Sequence, residues 1–285
     1  MAEQKTAIQV LNNTTMAVQK QIETYCTEGR LNLPTQYSAS NALKQLQLKL
    51  QDDQNLLSCT QSSIAKCMLD MVILGLNPSK SQCYVINYGG KAQLSVSYMG
   101  KIAIAKRIDE NIKDIFGRVV KKGDDFQFED SVDGYTTITK HQRTLESMSS
   151  NEILAAYATV VYKDGSPSKS LIMPFERIKK SWAKSAVHPI DNNGNIKAGT
   201  THAQYTDEMA IRTVINAMCK NIINTSNDAD LFGETIQSVD LNEAKAQSDA
   251  AAAEKTGTGE FIDVDFSDVE NTVENVDKET GEILE

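Results

Sequence analysis

Apolar residues recur at three- and four-residue intervals through the first part of the chain and at two-residue intervals beyond it, so helices give way to strands. Residues 4–28 carry Ile8, Leu11, Thr15, Val18, Ile22 and Tyr25 in 3-4-3-4 spacing, a narrow seam that predicts a helix docked on one surface. That surface belongs either to its own chain or to a neighbouring subunit. After Leu33-Pro34, Leu43, Leu46 and Leu50 mark a second helix over 39–51. Ile64, Cys67, Met68, Met71 and Val72 mark a third, capped by Thr60 and ended at Gly75, with Pro78 unable to continue it. Residues 82–88 and 91–98 then alternate around Gly89-Gly90, the pattern of a hairpin with a two-residue turn. In that register Tyr88 faces Lys91. Cys83, Val85, Ala92, Leu94 and Val96 form the core face, and Gln82, Tyr84, Ile86, Tyr88, Lys91, Gln93, Ser95 and Ser97 form the other.

The alternation continues downstream. A short helix over 101–108 turns Ile104, Ala105 and Ile108 inward and carries Lys101, Lys106 and Arg107. Strands follow at 115–122, 125–130 and 135–141, turned by Gly123-Asp124 and Asp133-Gly134, and a further hairpin joins 152–162 to 168–173 across Asp164-Gly165. Pro174 suits the first position of a helix in which Phe175, Ile178 and Trp182 form an apolar stripe. Arg177, Lys180, Ser181 and Lys184 form a basic one. Residues 185–200 read as a long loop or short β-finger around Asn192-Asn193-Gly194, with Ile196 and Lys197 near its tip. A final helix over 202–224 points Ile211, Val214, Ile215, Met218 and Ile222 at the core and aligns Glu208, Arg212, Asn216 and Lys220 on another face. The fold class is α+β: N-terminal helices, a central antiparallel sheet of β-hairpins with packed helices, and a tail.

Charge changes the picture at residue 226. Residues 1–225 hold 26 Lys and Arg against 21 Asp and Glu, and residues 226–285 hold 3 against 17, so a basic body carries an acidic tail inside a net charge of −9. The tail is too polar to offset the entropy of ordering it and reads as mostly disordered. Its acidic-apolar run Phe261-Ile262-Asp263-Val264-Asp265-Phe266 suits a partner or the basic body itself. Three regions follow: 1–34, a helix that docks either on its own chain or as an oligomer contact; 35–225, the core; 226–285, the tail. Five cysteines, odd in number and set in apolar periodic segments, read as reduced core residues of a cytoplasmic protein. None has zinc-ligand spacing, and neither signal peptide nor membrane anchor is expected.

Tyrosine rings beside amides, hydroxyls and a lysine on the outer hairpin face are what a surface for single-stranded nucleic acid needs, and a solvated sheet face has the same pattern. Asp124 and Asp125 offer paired carboxylates for metal or base chemistry, but in their Lys121-Lys122-Gly123 setting they read as turn formers pairing with those lysines. Gly89-Gly90-Lys91 lacks the upstream glycine and following Ser or Thr of a phosphate loop. No cofactor is expected.

The run Gly75 to Gly100, GLNPSKSQCYVINYGGKAQLSVSYMG, resembles the signature of the RecT family of phage single-strand DNA annealing proteins: an NP-x-K turn, a tyrosine-bearing strand, a glycine turn, a second strand and S-Y-x-G. The likeness extends through Lys106-Arg107, Gly123-Asp124-Asp125-Phe126, the strands near 153–173, Trp182 and Glu208-Met209, over roughly 35–225, which it implies is a DNA-binding and annealing core. It departs at Asn216-Ala217, where the family usually has two basic residues, and near Ile223, where it often has proline. The resemblance implies ATP-independent binding and annealing of single-stranded DNA in homologous recombination, with no catalytic residue, by a ring or filament that holds DNA in a basic groove. Its partners would be single-stranded and annealed duplex DNA, further copies of the chain, a partner exonuclease and a host single-strand binding protein. Expected DNA contacts are Lys80, Tyr84, Tyr88, Lys91, Gln93, Lys101, Lys106, Arg107, Arg177, Lys180, Lys184, Ile196, Lys197 and Arg212, with Ile196 wedging between bases. The alternatives are a passive coating protein and a metal-dependent nuclease.

Overall fold

A computed structural model describes residues 2–185, 187–226, 232–242 and 245. Helix α1 (Ala2–Thr27) lays Leu11, Thr14, Val18 and Ile22 into the core of its own chain, against α2 (Ala39–Asp52) and α4 (Gln61–Ile73). Its seam therefore has an intramolecular partner. The short α3 (Gln54–Leu57) is capped by Asp53, whose carboxylate accepts the N–H groups of Asn55 and Leu56. Helix α4 runs from Thr60 to the turn at Gly75, whose φ of +66° is the left-handed cap that stops it.

After a 3-10 turn at Pro78–Lys80, β1 (Cys83–Tyr88) and β2 (Lys91–Val96) pair antiparallel with Tyr88 opposite Lys91, the register set by the two glycines. This hairpin is a two-stranded sheet of its own, apart from the larger sheet. Helix α5 (Tyr98–Ile108) follows at once, capped by Ser97, whose hydroxyl accepts the Gly100 N–H.

The larger sheet has five antiparallel strands in the order β3-β6-β7-β5-β4, formed by β3 (Ile112–Lys121), β4 (Asp125–Asp130), β5 (Thr136–Gln142), β6 (Ile153–Tyr162) and β7 (Lys169–Pro174). Between β5 and β6 lies the one-turn α6 (Leu145–Met148). Helices α7 (Phe175–Trp182) and α9 (Thr206–Asn224) pack against β6 and β7, and α9 also covers β3. The close approach occurs at Gly117, where an added Cβ would lie 3.0 Å from Ile211 and 3.1 Å from Ile215. The expected single helix over 202–224 is two, α8 (Thr201–Gln204) and α9, with Tyr205 between them.

The region expected as tail from 226 begins with structure. Residues 232–242 form a helix, α10, that buries Phe232, Ile236 and Val239 at i, i+4 and i+7. The apolar periodicity was present in the sequence but obscured by the acidic composition around it. Apart from residues 226 and 245, the rest of the tail, including 261–266, lies outside the described residues. Four cysteines are buried as expected, but Cys26 is exposed on α1.

Candidate nucleic-acid interface

The β1–β2 hairpin is held from beneath. The Thr60 N–H donates to the Gly90 carbonyl at 3.0 Å, the Ala92 N–H to Ser63 Oγ at 2.9 Å, and the Asn87 amide to the Asn55 carbonyl at 2.9 Å. Its inner face, Cys83, Ala92, Leu94 and Val96, is buried over α4. The outer face consequently presents three cross-strand rungs: Tyr84 with Ser95, Ile86 with Gln93, and Tyr88 with Lys91. All are half-buried except Lys91, which is exposed. Aromatic rings held on a fixed sheet lose little entropy when a base stacks on them.

At the foot of the hairpin, α5 starts in direct contact with β1. An added Cβ on Gly100 would lie 2.1 Å from the Gln82 carbonyl oxygen, so glycine alone permits that approach. Two of the expected cations gather here. Arg212 of α9 sits over the Tyr98 ring at 5.6 Å, and Lys101, one turn along α5 from Tyr98, faces Asp240 of α10 at 4.0 Å. Tyr98 has no place among the expected contacts, although it was legible in the S-Y-x-G motif. Only the packing of α5 on α9 brings it to Arg212.

Other expected residues are more dispersed. Arg177 and Lys180 are exposed on α7 and Lys184 is exposed in the turn just beyond it, while Trp182 is buried and donates from Nε1 to Thr213 at 2.8 Å. Trp182 is therefore an anchor, packed edge-on against Phe175 and His202. Lys80 and Lys197 are exposed. Lys106 pairs with Asp114 at 2.9 Å. Arg107 is committed to the fold: its guanidinium donates to the carbonyls of Ile73 at 2.7 Å and Asn32 at 2.6 Å and stacks on Phe232 at 4.5 Å. It caps the C-terminus of α4, where the helix leaves carbonyls unpaired.

Of the two forms expected for 185–200, the structure shows the short β-finger, but with Ile196 away from its tip. Ile190 and Ile196 form an isolated β-bridge, and Asp191 accepts the N–H groups of Asn193 and Asn195, so the tip is 192–195. Ile196 stands at the base, packed against the core beside Ile190. A side chain already engaged in packing is poorly placed to wedge between bases.

The acidic turn is structural. The side chain of Asp124 is buried, accepting the Lys121 N–H at 2.8 Å and bonding His141 Nε2 at 3.1 Å, and His141 Nδ1 contacts the Tyr157 hydroxyl at 2.9 Å. Burial raises the Asp124 carboxyl, but the neighbouring Ser147 hydroxyl, the Lys121 N–H and His141 outweigh it and hold the group below the usual carboxylate range. The lysines pair elsewhere than expected, Lys121 with Asp207 and Lys122 with Glu152, while Asp125 pairs with Lys140. Among the described residues no His, Cys, Asp and Glu cluster is arranged to hold a metal ion. Burial pushes the thiols of Cys67, Cys83 and Cys219 up to about 12, which keeps them protonated and inert. No described helix is long and apolar enough to cross a membrane.

The chain matches known proteins across this whole arrangement. The family model described as RecT family covers residues 39–255, from the start of α2 past α10. Protein RecT of Escherichia coli (strain K12) is 24% identical over 249 residues, 83% of each chain.

Proposed function

We propose, from the premise that this chain belongs to the RecT family and is therefore a single-strand annealing protein of DNA recombination, that it anneals without ATP, as a ring or filament that lays one strand along a basic track. Family membership carries the reading. The geometry that supports it is the hairpin's outer face with Tyr84, Tyr88, Lys91 and Gln93, continued at its foot by Tyr98, Lys101 and Arg212. The exposed Arg177 and Lys180 of α7 and Lys184 just beyond it, together with Lys80 and Lys197, extend the candidate phosphate contacts. Arg107 and Ile196 leave the contact set because the fold uses them.

Binding energy does the work in this mechanism. Cations that neutralise phosphates lower the repulsion between complementary strands, and base pairing supplies the driving force. Each subunit holds its stretch of strand modestly, and neighbouring subunits raise the total through effective concentration. With the seam of α1 packed on its own chain, a contact between copies through residues 1–34 would have to use the rest of that helix, where Met16 is exposed.

Annealing of two complementary dye-labelled oligonucleotides, without ATP and with EDTA present, tests the reading against a mixture lacking protein. Accelerated pairing is the expected result. Strands bound without acceleration would make the chain a coating protein, and magnesium-dependent loss of full-length DNA would make it a nuclease.

A further inference from the structure

Helix α10 lies antiparallel to α5. Its first residue, Phe232, sits under Arg107 near the end of α5, and Asp240, near its own end, faces Lys101 near the start of α5. Phe232, Ile236 and Val239 are all buried, so this orientation is fixed by packing along the helix. The chain is thereby delivered to the foot of the hairpin, one turn from Tyr98 and the backbone contact between Gly100 and Gln82. What it delivers is a polyanion. Residues 243–285 hold thirteen Asp and Glu against three Lys, a net charge of −10. Within them Phe261 and Phe266 bracket Asp263 and Asp265, which places aromatic rings and anions in one short run, the two chemistries that a nucleotide strand also offers.

We propose that residues 243–285 occupy the single-strand surface of their own chain, on the hairpin face and around Lys101 and Arg212, and that DNA must displace them. The proposal rests on the reading of that surface as the DNA site. Charge complementarity identifies the occupant. The ion pair between Lys101 and Asp240 is the first contact of an acidic segment with a candidate phosphate cation, and α10 tethers the remaining acids beside the others. Tethering sets a high effective concentration, on the order of millimolar for short linkers, so even a weak contact competes. Strand capture then becomes sensitive to salt and to the length of DNA offered: short fragments compete poorly with a tethered polyanion, whereas a long strand engaging several subunits wins.

The test uses two proteins and one peptide. A chain ending at Asn242 keeps α10 and its packing, and the full chain carrying Asp263→Asn, Asp265→Asn, Asp268→Asn and Glu270→Gln keeps every residue of the body. Both are compared with the unaltered chain for affinity toward oligo-dT. A dye-labelled peptide of residues 243–285 is titrated with the shortened chain and then challenged with oligo-dT. Both altered proteins are expected to bind oligo-dT about fivefold or more tightly at low salt, with the difference vanishing as added salt shortens the screening length. The peptide is expected to bind and to be released by DNA. Equal affinities at low salt, a peptide that does not bind, or a peptide that stays bound beside DNA would each overturn the proposal while leaving the DNA site intact. Failure of every form to bind oligo-dT would overturn the single-strand reading itself.

Discussion

Arg107 and Lys180 carry the same charge, yet Arg107 is bonded into the fold and Lys180 is exposed. Arg107 joins the Ile73 and Asn32 carbonyls, 34 and 75 positions away in sequence, so nothing local to it distinguishes it from its neighbour Lys106. Arg107→Ala is expected to lower stability in urea unfolding by about 1.5–3 kcal/mol, because the carbonyl of the buried Ile73 loses a charged donor, whereas that of the exposed Asn32 is open to water. Lys180→Ala should leave the unfolding midpoint in place and reduce the log–log salt slope of single-strand binding by about 0.7. The tyrosines of the hairpin were legible because strand alternation and a two-glycine turn fix which face each residue takes. Tyr84→Ala and Tyr88→Ala should each weaken oligonucleotide binding by about 1–3 kcal/mol in anisotropy titrations, with phenylalanine at either position largely restoring it. Retained affinity in both alanine variants would remove the hairpin from the site.

At the scale of elements, most helices and strands followed from periodicity and caps. The elements that differ do so for reasons outside any local window. The composition of 185–200 allows a loop or a short β-finger; the Ile190–Ile196 bridge and the Asp191 turn make it the finger and set Ile196 at its base instead of near its tip. Helix α10 has a clear i, i+4, i+7 apolar pattern, but its low overall hydrophobicity matters less than the surface waiting for it on α5. The joint between hairpin and α5 is the tightest contact near the site. Gly100→Ala would drive a methyl group into the Gln82 carbonyl and Val96, 2.1 and 2.8 Å away, where only a shift of backbone makes room. A loss of about 3 kcal/mol, the upper range for overpacking, is expected in urea unfolding. Its single-strand binding should fall as well, since Tyr98, Lys101 and the hairpin would no longer keep their relative positions.

For the whole molecule, the net charge of −9 hides a division between body and tail that suits a protein needing both to hold a polyanion and to let it go. If subunits polymerise along the strand, the affinity per protein should rise with oligonucleotide length beyond the statistical gain from added sites, as measured by titrating a ladder of oligo-dT lengths. A flat profile would count against the filament. The sequence by itself determined the element types, the hairpin register, the α+β class and the family signature, because each of these is written in spacings of a few residues. The tertiary structure decided which cations remain at the surface, that the first hairpin stands apart from the five-stranded sheet, that α1 packs on its own chain, and that Asp240 of α10 meets Lys101. Those outcomes depend on contacts between residues tens of positions apart, and a side chain's availability is known only once its distant neighbours are in place.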